Sequence, residues 1–127
     1  MIRSAAIIGL CLLGGYMSSV HAKRKAPARV EPVELAGVRY AVDPWATENG
    51  TRIKGGVIKA HNLETNAVLW SLTVYVVEQT PGLESDVQDV FIKRLSIDPS
   101  KKRLIIENER NHTYWVDVEK RVSVHVL

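Results

Sequence analysis

A chain of 127 residues with a formal net charge of +3 and 46% hydrophobic residues is long enough for one modest domain with a single core. Its only cysteine, Cys11, lies in an N-terminal apolar segment, so the rest of the chain cannot form a disulfide or a thiolate metal site. Basic residues gather before Glu31, and acidic residues outnumber them from there on. This distribution argues against a nucleic-acid binder, which needs a basic folded face.

Residues 1–22 predict a secretory signal peptide. Arg3 precedes an uncharged apolar run over residues 5–16, and Val20-His21-Ala22 then precedes the charged Lys23. A positive start, an apolar core and small residues before the cleavage point are typical of such a signal. The apolar run is too short to span a bilayer comfortably, which takes about 20 residues. We therefore expect cleavage after residue 22 and a periplasmic or secreted protein that is not stably inserted in a membrane.

Residues 23–34 predict a disordered basic leader, because Pro27, Pro32 and several charges occur there without an apolar period. A solvated spacer is a better interpretation of this leader than a segment that contacts an anionic surface. From residue 35 the pattern changes to short apolar runs separated by turn signals. Residues 35–127 are therefore expected to form a single β domain.

Short strands account for most of the pattern within this domain. The strongest segment, residues 67–78, is rich in β-branched and aromatic residues, which favours a strand over a helix. We predict an antiparallel all-β meander of about six or seven strands, arranged as a blade-like sheet or as a small sandwich or barrel. In chain order, the strands are expected at 35–42, 53–61, 67–78, 90–97, 103–107, 113–118 and 122–126, with a loop at 43–52 and a second loop, containing a helical turn, at 79–89.

Residues 56–70, GVIKAHNLETNAVLW, resemble one repeat of the PQQ-type β-propeller family. The matching positions are Gly56, Ala60, Thr65 and Trp70, and Asn62 and Asn66 stand for the usual aspartate and glycine. Residues 113–121 are similar to the turn portion of the same repeat but lack its tryptophan. The resemblance implies a strand–turn–strand unit and a blade-like sheet. It implies no quinone cofactor, since a propeller takes at least four four-stranded blades, and the family's cofactor residues come from many of them.

No motif for catalysis, for a metal or for a cofactor is predicted. His61, His112 and His125 are far apart in the sequence and lack the HxH or HExxH spacing of zinc sites. No serine occurs in a G-x-S-x-G elbow. The acidic residues of loop 79–89 lack the glycine and the alternating pattern of a dedicated calcium loop, so a solvated acidic loop is the simpler interpretation.

Four residues are candidates for binding a partner. Trp45, beside Pro44 in a polar loop, is expected to be the most exposed aromatic residue, whereas Trp70 and Trp115 are expected in the core. Loops on a rigid scaffold often carry function. The candidates are therefore Trp45 together with the three carboxylates of loop 79–89, namely Glu84, Asp86 and Asp89.

Two functions remain open at this point. The first is an exported non-enzymatic binding or assembly module, which uses a sheet edge or an exposed loop to contact a protein partner or a second copy, or to inhibit an exported enzyme. The alternative is a small carboxylate-dependent hydrolase, in which two carboxylates face each other across a cleft. A cleft lined by Glu84, Asp86 or Glu107 would favour the hydrolase, and a flat or convex sheet would favour the binding module.

Overall fold

A computed structural model describes residues 26–84 and 86–127, with the side chains of Asp86 and Lys101 left out. The predicted signal peptide and the first three residues of the predicted leader lie outside the described residues. In the described part of the chain, the 3-10 turns Asp86–Gln88 and Pro99–Lys101 interrupt the succession of strands. The strands of the described part are β1 (Val33–Leu35), β2 (Val38–Val42), β3 (Thr47–Glu48), β4 (Thr51–Arg52), β5 (Gly55–Asn62), β6 (Val68–Val76), β7 (Ile92–Asp98), β8 (Arg103–Asn108), β9 (Thr113–Asp117) and β10 (Val122–Val126).

These strands form two four-stranded antiparallel sheets and one short ribbon. Sheet one has the order β1-β2-β5-β6, sheet two has the order β7-β8-β9-β10, and the ribbon β3-β4 is inserted between β2 and β5. At one side of the molecule β6 lies beside β10, and at the other side β1 lies beside β7. The sheets do not close into a barrel, so the architecture is that of a sandwich. The predicted all-β antiparallel fold is confirmed.

The strand count exceeds the predicted six or seven, because the shortest strands carry too little pattern to be recognised. The ribbon strands have two residues each, within the segment predicted as a loop. Strand β1 begins at Val33, inside the segment 23–34 predicted as a disordered leader. Val33 and Leu35 pack against the core on either side of the exposed Glu34, and this alternation secures β1 at the edge of sheet one.

The core lies between the inner faces of the two sheets. In β8 every second residue points inward, and Leu104 and Ile106 are completely buried. Ile58 and Ala60 of β5 and Val116 of β9 are also completely buried. Each such leucine, isoleucine or valine stabilises the fold by about 1.5–3 kcal/mol relative to an exposed position.

The Gly55-Gly56 pair makes room for a close approach between β5 and β6. A shift of register after Gly56 places Tyr75 directly across from it. A Cβ atom added to Gly56 would lie 2.2 Å from Cε2 of Tyr75, and one added to Gly55 would lie 2.0 Å from the carbonyl oxygen of Tyr75. The Tyr75 ring fills this space, stacks on Tyr114 with ring centres 5.1 Å apart, and donates a 2.5 Å hydrogen bond to the carbonyl oxygen of Val90.

The two resembling segments, 56–70 and 113–121, end their first strands in the same kind of turn. The side chain of Asn62 accepts hydrogen bonds of 2.8 and 3.1 Å from two following backbone amides, and Asp117 accepts two of 2.9 Å. Asn66 and Arg121 close the turns with φ of 62° and 58°, in the left-handed region. The strand–turn–strand geometry expected for residues 56–70 is therefore confirmed, and asparagine serves at both positions as expected. Membership of the PQQ-type family remains a prediction.

The turn at Asp117 is held by a charged carboxylate, whereas the turn at Asn62 is held by a neutral amide. Hydrogen bonds from the backbone amides of Lys120 and Glu119 hold the pKa of Asp117 below its ordinary value, against the opposing effect of burial. Asn62 makes the equivalent bonds with a neutral amide. The turn at Asp117 is therefore the one whose strength responds to acid.

Candidate functional site

Trp45 is exposed as predicted, but one face of its ring is occupied. The side chain is 57% exposed, and its backbone amide donates a 3.1 Å hydrogen bond to Oδ1 of Asp43. Its ring meets Phe91 edge-on, with centres 5.8 Å apart, and the Arg52 guanidinium carbon lies 4.9 Å from the centre of the Trp45 ring. A cation over an indole stabilises by about 0.5–1 kcal/mol at an exposed site.

Asp89 differs from the exposed loop carboxylate that the sequence suggests. Its side chain is only 6% exposed, and Oδ2 lies 2.9 Å from Nη1 of Arg52. Oδ1 lies 3.9 Å from Nζ of Lys54. Arg52 thus brings two of the four candidates, Trp45 and Asp89, into one cluster. Asp89 ties the end of loop 79–89 to β4 of the ribbon and to Lys54, which precedes β5, rather than facing solvent.

Gln88 organises loop 79–89, a role that sequence reasoning missed. Its Oε1 accepts a 2.5 Å hydrogen bond from the backbone amide of Thr80, and its Nε2 donates to the carbonyl oxygens of Leu83 and Glu84 at 3.3 and 3.2 Å. The helical turn predicted in this loop is confirmed as the 3-10 turn that ends at Gln88. The only sequence signal was a long amide side chain placed a few residues after a Pro-Gly turn.

Glu84 is exposed on the surface of this loop, whereas the side chain of Asp86 lies outside the described part of the structure. Leu83 is 58% exposed and Val87 is 45% exposed, so the loop presents apolar side chains beside its charge. The structure therefore does not bring Glu84 together with the cluster of Trp45 and Asp89.

An exposed apolar strip, which the sequence did not indicate, runs along the two neighbouring edge strands β6 and β10. Half of the ten exposed large hydrophobic side chains in the described part of the chain lie on these two strands. Their exposed fractions range from 45% to 72%. We name this surface the seam strip, and its members are Val68, Leu69, Val76, Val122 and Val124.

The two seams of the sandwich differ in what flanks them. At the β1–β7 seam, leader residues 29–31 lie against residues 93–96 around a cavity of about 270 Å³. At the β6–β10 seam the strands belong to different sheets, and the Ser123 hydroxyl donates a 2.8 Å hydrogen bond to the carbonyl oxygen of Val74. Single large exposed apolar side chains are ordinary, but five on two adjacent edge strands are a candidate interaction surface.

The other tryptophans lie on opposite sides of their sheets. Trp70 packs against the core, as predicted, with its ring centre 5.8 Å from that of Tyr40. The prediction that Trp115 belongs to the core is wrong. Trp115 alternates with the buried Tyr114 and so lies on the outer face of sheet two, where the Arg103 guanidinium sits 3.5 Å from its ring centre.

Four cavities of the described chain bear on the choice between a binding module and a hydrolase. The largest, about 380 Å³, lies between residues 27–30 and Trp45, and the next, about 340 Å³, is lined by residues that include Glu78 and Arg110. Neither Glu84 nor Glu107 lines any of these four cavities. Glu107 instead lies 3.3 Å from Nη1 of Arg94.

Comparison with family models and with curated proteins identifies no family for the chain. No protein-family model matches the chain, and no curated protein is significantly similar to it. Among residues 26–84 and 86–127, no helix is long and apolar enough to cross a membrane. The function must therefore be argued from the surfaces described above.

Proposed function

We propose that this chain is an exported, non-enzymatic binding module that contacts a protein partner through the seam strip. The observation that carries the proposal is the exposure of five apolar side chains along two adjacent edge strands. Exposed edges are a liability that proteins either cover or use. Apolar side chains left in water along such a seam are unfavourable in free energy, and a partner that covers them removes this cost.

The occupant that fits this surface is an extended apolar segment of another protein. The strip is long and narrow, because it follows the nine-residue β6 and the five-residue β10. An extended segment presents alternate side chains to such a surface and offers its backbone to the strand edges. The turn before β10 places Lys120 and Arg121 at one end of the strip. An acidic residue flanking the apolar segment would therefore complement the surface.

Export rests on the signal peptide predicted in residues 1–22. The intact mass of the protein recovered from outside the cytosol tests it, and a chain that begins at residue 23 is the expected result. A species that still carries residues 1–16 would contradict export.

A photo-crosslinking amino acid at Val124 tests the interface directly. Arg94, on β7 and 76% exposed at its side chain, provides the matched control position on the opposite seam. We expect a covalent adduct of defined mass at Val124 and none at Arg94. Partner peptides identified in that adduct should contain an apolar stretch flanked by an acidic residue.

Lysine substitutions in the seam strip and a crosslinker at other positions decide whether the seam strip is the interface. With the crosslinker at position 124, Val68→Lys and Val122→Lys should each abolish the adduct without lowering the melting temperature, since both side chains are about half exposed. Equal capture at positions 94 and 124 would overturn the seam strip as the interface. Capture at Leu83 but not at Val124 would also overturn it and would move the interface to loop 79–89, as expected of an inhibitor.

The alternative hydrolase receives less support. A carboxylate-dependent site needs two carboxyl groups that face a cleft about 5–10 Å wide. Glu84 and Glu107 line none of the four cavities, and Asp89 is paired with Arg52 and Lys54. These placements favour binding over hydrolysis.

A further inference from the structure

Two histidines that are distant in the sequence meet at the edge of sheet two. His125 lies on β10 directly opposite Tyr114, and His112 lies just before β9. Residues two apart on a strand share a face, so His112 and Tyr114 point to the same side. The ring centres of His112 and His125 are 5.2 Å apart, and both residues are exposed.

Both positions are held in place by neighbours. The ring of His125 stacks on Tyr114 with centres 4.8 Å apart, and Tyr114 stacks in turn on the anchored Tyr75. The backbone amide of His112 donates a 3.1 Å hydrogen bond to Oδ1 of Asn108, and its carbonyl oxygen accepts one of 3.0 Å from the amide of Asn108. Asn108 is itself buried, so the turn that carries His112 is fixed to the core.

We propose that His112 and His125 form a two-histidine binding site for a divalent transition-metal ion. A tetrahedral ion held at about 2.0 Å by one nitrogen of each ring would place the two ring centres about 5 Å apart, close to the separation observed. Imidazole nitrogen suits Zn²⁺ and Cu²⁺, whereas Mg²⁺ and Ca²⁺ prefer oxygen. The two rings therefore match the first pair of ions in donor type and in spacing.

The rest of the coordination shell is open to water or to a ligand from a partner. No group of three or more histidine, cysteine, aspartate or glutamate side chains that could hold a metal occurs in the part of the chain that the structure covers. The adjoining cavity of about 340 Å³ is lined by Glu78 and Arg110 as well as His112. Glu78 and Arg110 bring opposite charges to the lining of this cavity.

Calorimetric titration of the full chain with Zn²⁺ tests the site. We expect Zn²⁺ binding to weaken by at least tenfold in His112→Gln and in His125→Gln, since even the loss of a group that only hydrogen-bonds to a metal ligand costs about 10–100-fold in metal affinity. His61→Gln is the matched control, because His61 lies on sheet one, and it should bind as the wild type does. Binding should also weaken as the pH falls, because only neutral imidazole ligates a metal.

The double variant His112→Gln/His125→Gln separates this site from any other metal affinity of the chain. Trace Cu²⁺, which broadens nearby nuclear magnetic resonance signals, should broaden those of His112 and His125 well before those of His61. Melting temperatures within error of the wild type would show that the variants remain folded. The proposal is overturned if the double variant binds Zn²⁺ as tightly as the wild type, or if Cu²⁺ broadens the signals of His61 as early as those of His112 and His125.

Discussion

Substituting Gly56 by alanine is expected to destabilise the fold for a steric reason alone. The added Cβ atom would lie 2.2 Å from Cε2 and 2.7 Å from Cζ of Tyr75, well inside contact distance. Tyr75 cannot move aside freely, because its ring stacks on Tyr114 and its hydroxyl is bonded to the carbonyl oxygen of Val90. The substitution therefore forces either strain in the core or loss of both interactions.

Strain in the core and displacement of the Tyr75 ring should lower the free energy of unfolding by similar amounts. Overpacking a core costs about 1–3 kcal/mol. Displacing the ring instead loses about 0.5–1.5 kcal/mol from the aromatic pair and about 1 kcal/mol from the hydrogen bond, besides the burial of the ring. We expect Gly56→Ala to lower the free energy of unfolding by about 3 kcal/mol, which is a large part of the 5–15 kcal/mol typical of a domain.

Urea denaturation followed by near-ultraviolet circular dichroism measures this loss. Gly50→Ala is the control, since Gly50 has φ of +78° with nothing within 4 Å of an added Cβ atom, and backbone strain alone costs about 1 kcal/mol. Tyr75→Leu removes Cε2 and Cζ, the two nearest of the three ring atoms that clash, so Gly56→Ala should cost far less in that background. An equal cost in both backgrounds would refute the steric reasoning.

Three other perturbations have expected outcomes. Asp89→Asn should lower the free energy of unfolding, measured by denaturant titration, by about 2 kcal/mol. This is less than the 3–5 kcal/mol lost from a fully buried ion pair, because Arg52 and Lys54 are partly exposed. Glu84→Gln, the control, should not change the free energy of unfolding measurably. The lowered pKa of Asp117 contributes stability above about pH 4 that is lost as the pH falls through the folded pKa, so the amide resonances of its turn should shift in acid while those of the turn at Asn62 do not. Burial raises the pKa of all three tyrosines of the described chain, so stability is present below about pH 10 and is lost as the pH rises further. Their absorbance titration should therefore coincide with one alkaline unfolding transition, and separate steps would contradict it.

The long strands could be predicted from the sequence because each carries its own pattern. β6 is rich in β-branched and aromatic residues, β8 is a short apolar run between turn signals, and β9 lies in a segment that alternates. Strands of two or three residues, such as β1 and the ribbon strands, cannot show a period and so were missed. Alternation also tells which residues share a face without telling which face is inward, and for this reason Trp115 was misplaced.

The candidate site was harder to predict, because it depends on pairs that lie far apart in the chain. Asp89 reads as an exposed loop carboxylate until Arg52 and Lys54 are brought to it by the fold. His112 and His125 meet only through the register of β9 with β10. No local sequence pattern indicates either of these contacts. The exposure of Trp45, by contrast, could be predicted from the polar residues around it.

Residues 77–91 are the sole covalent link between the two sheets. Every strand pair joins strands of the same half of the chain, so each sheet is complete within one contiguous stretch. A cut anywhere between residues 79 and 89 would separate the chain into two fragments that recognise each other through the buried core and through contacts at its margin, such as the hydrogen bond from Ser123 to Val74. The same connection is a natural hinge for two chains to exchange halves, each sheet one docking on the other chain's sheet two. The hydrogen bonds of Gln88 oppose the opening that such an exchange requires, so one amide side chain within the loop biases the chain toward pairing with itself.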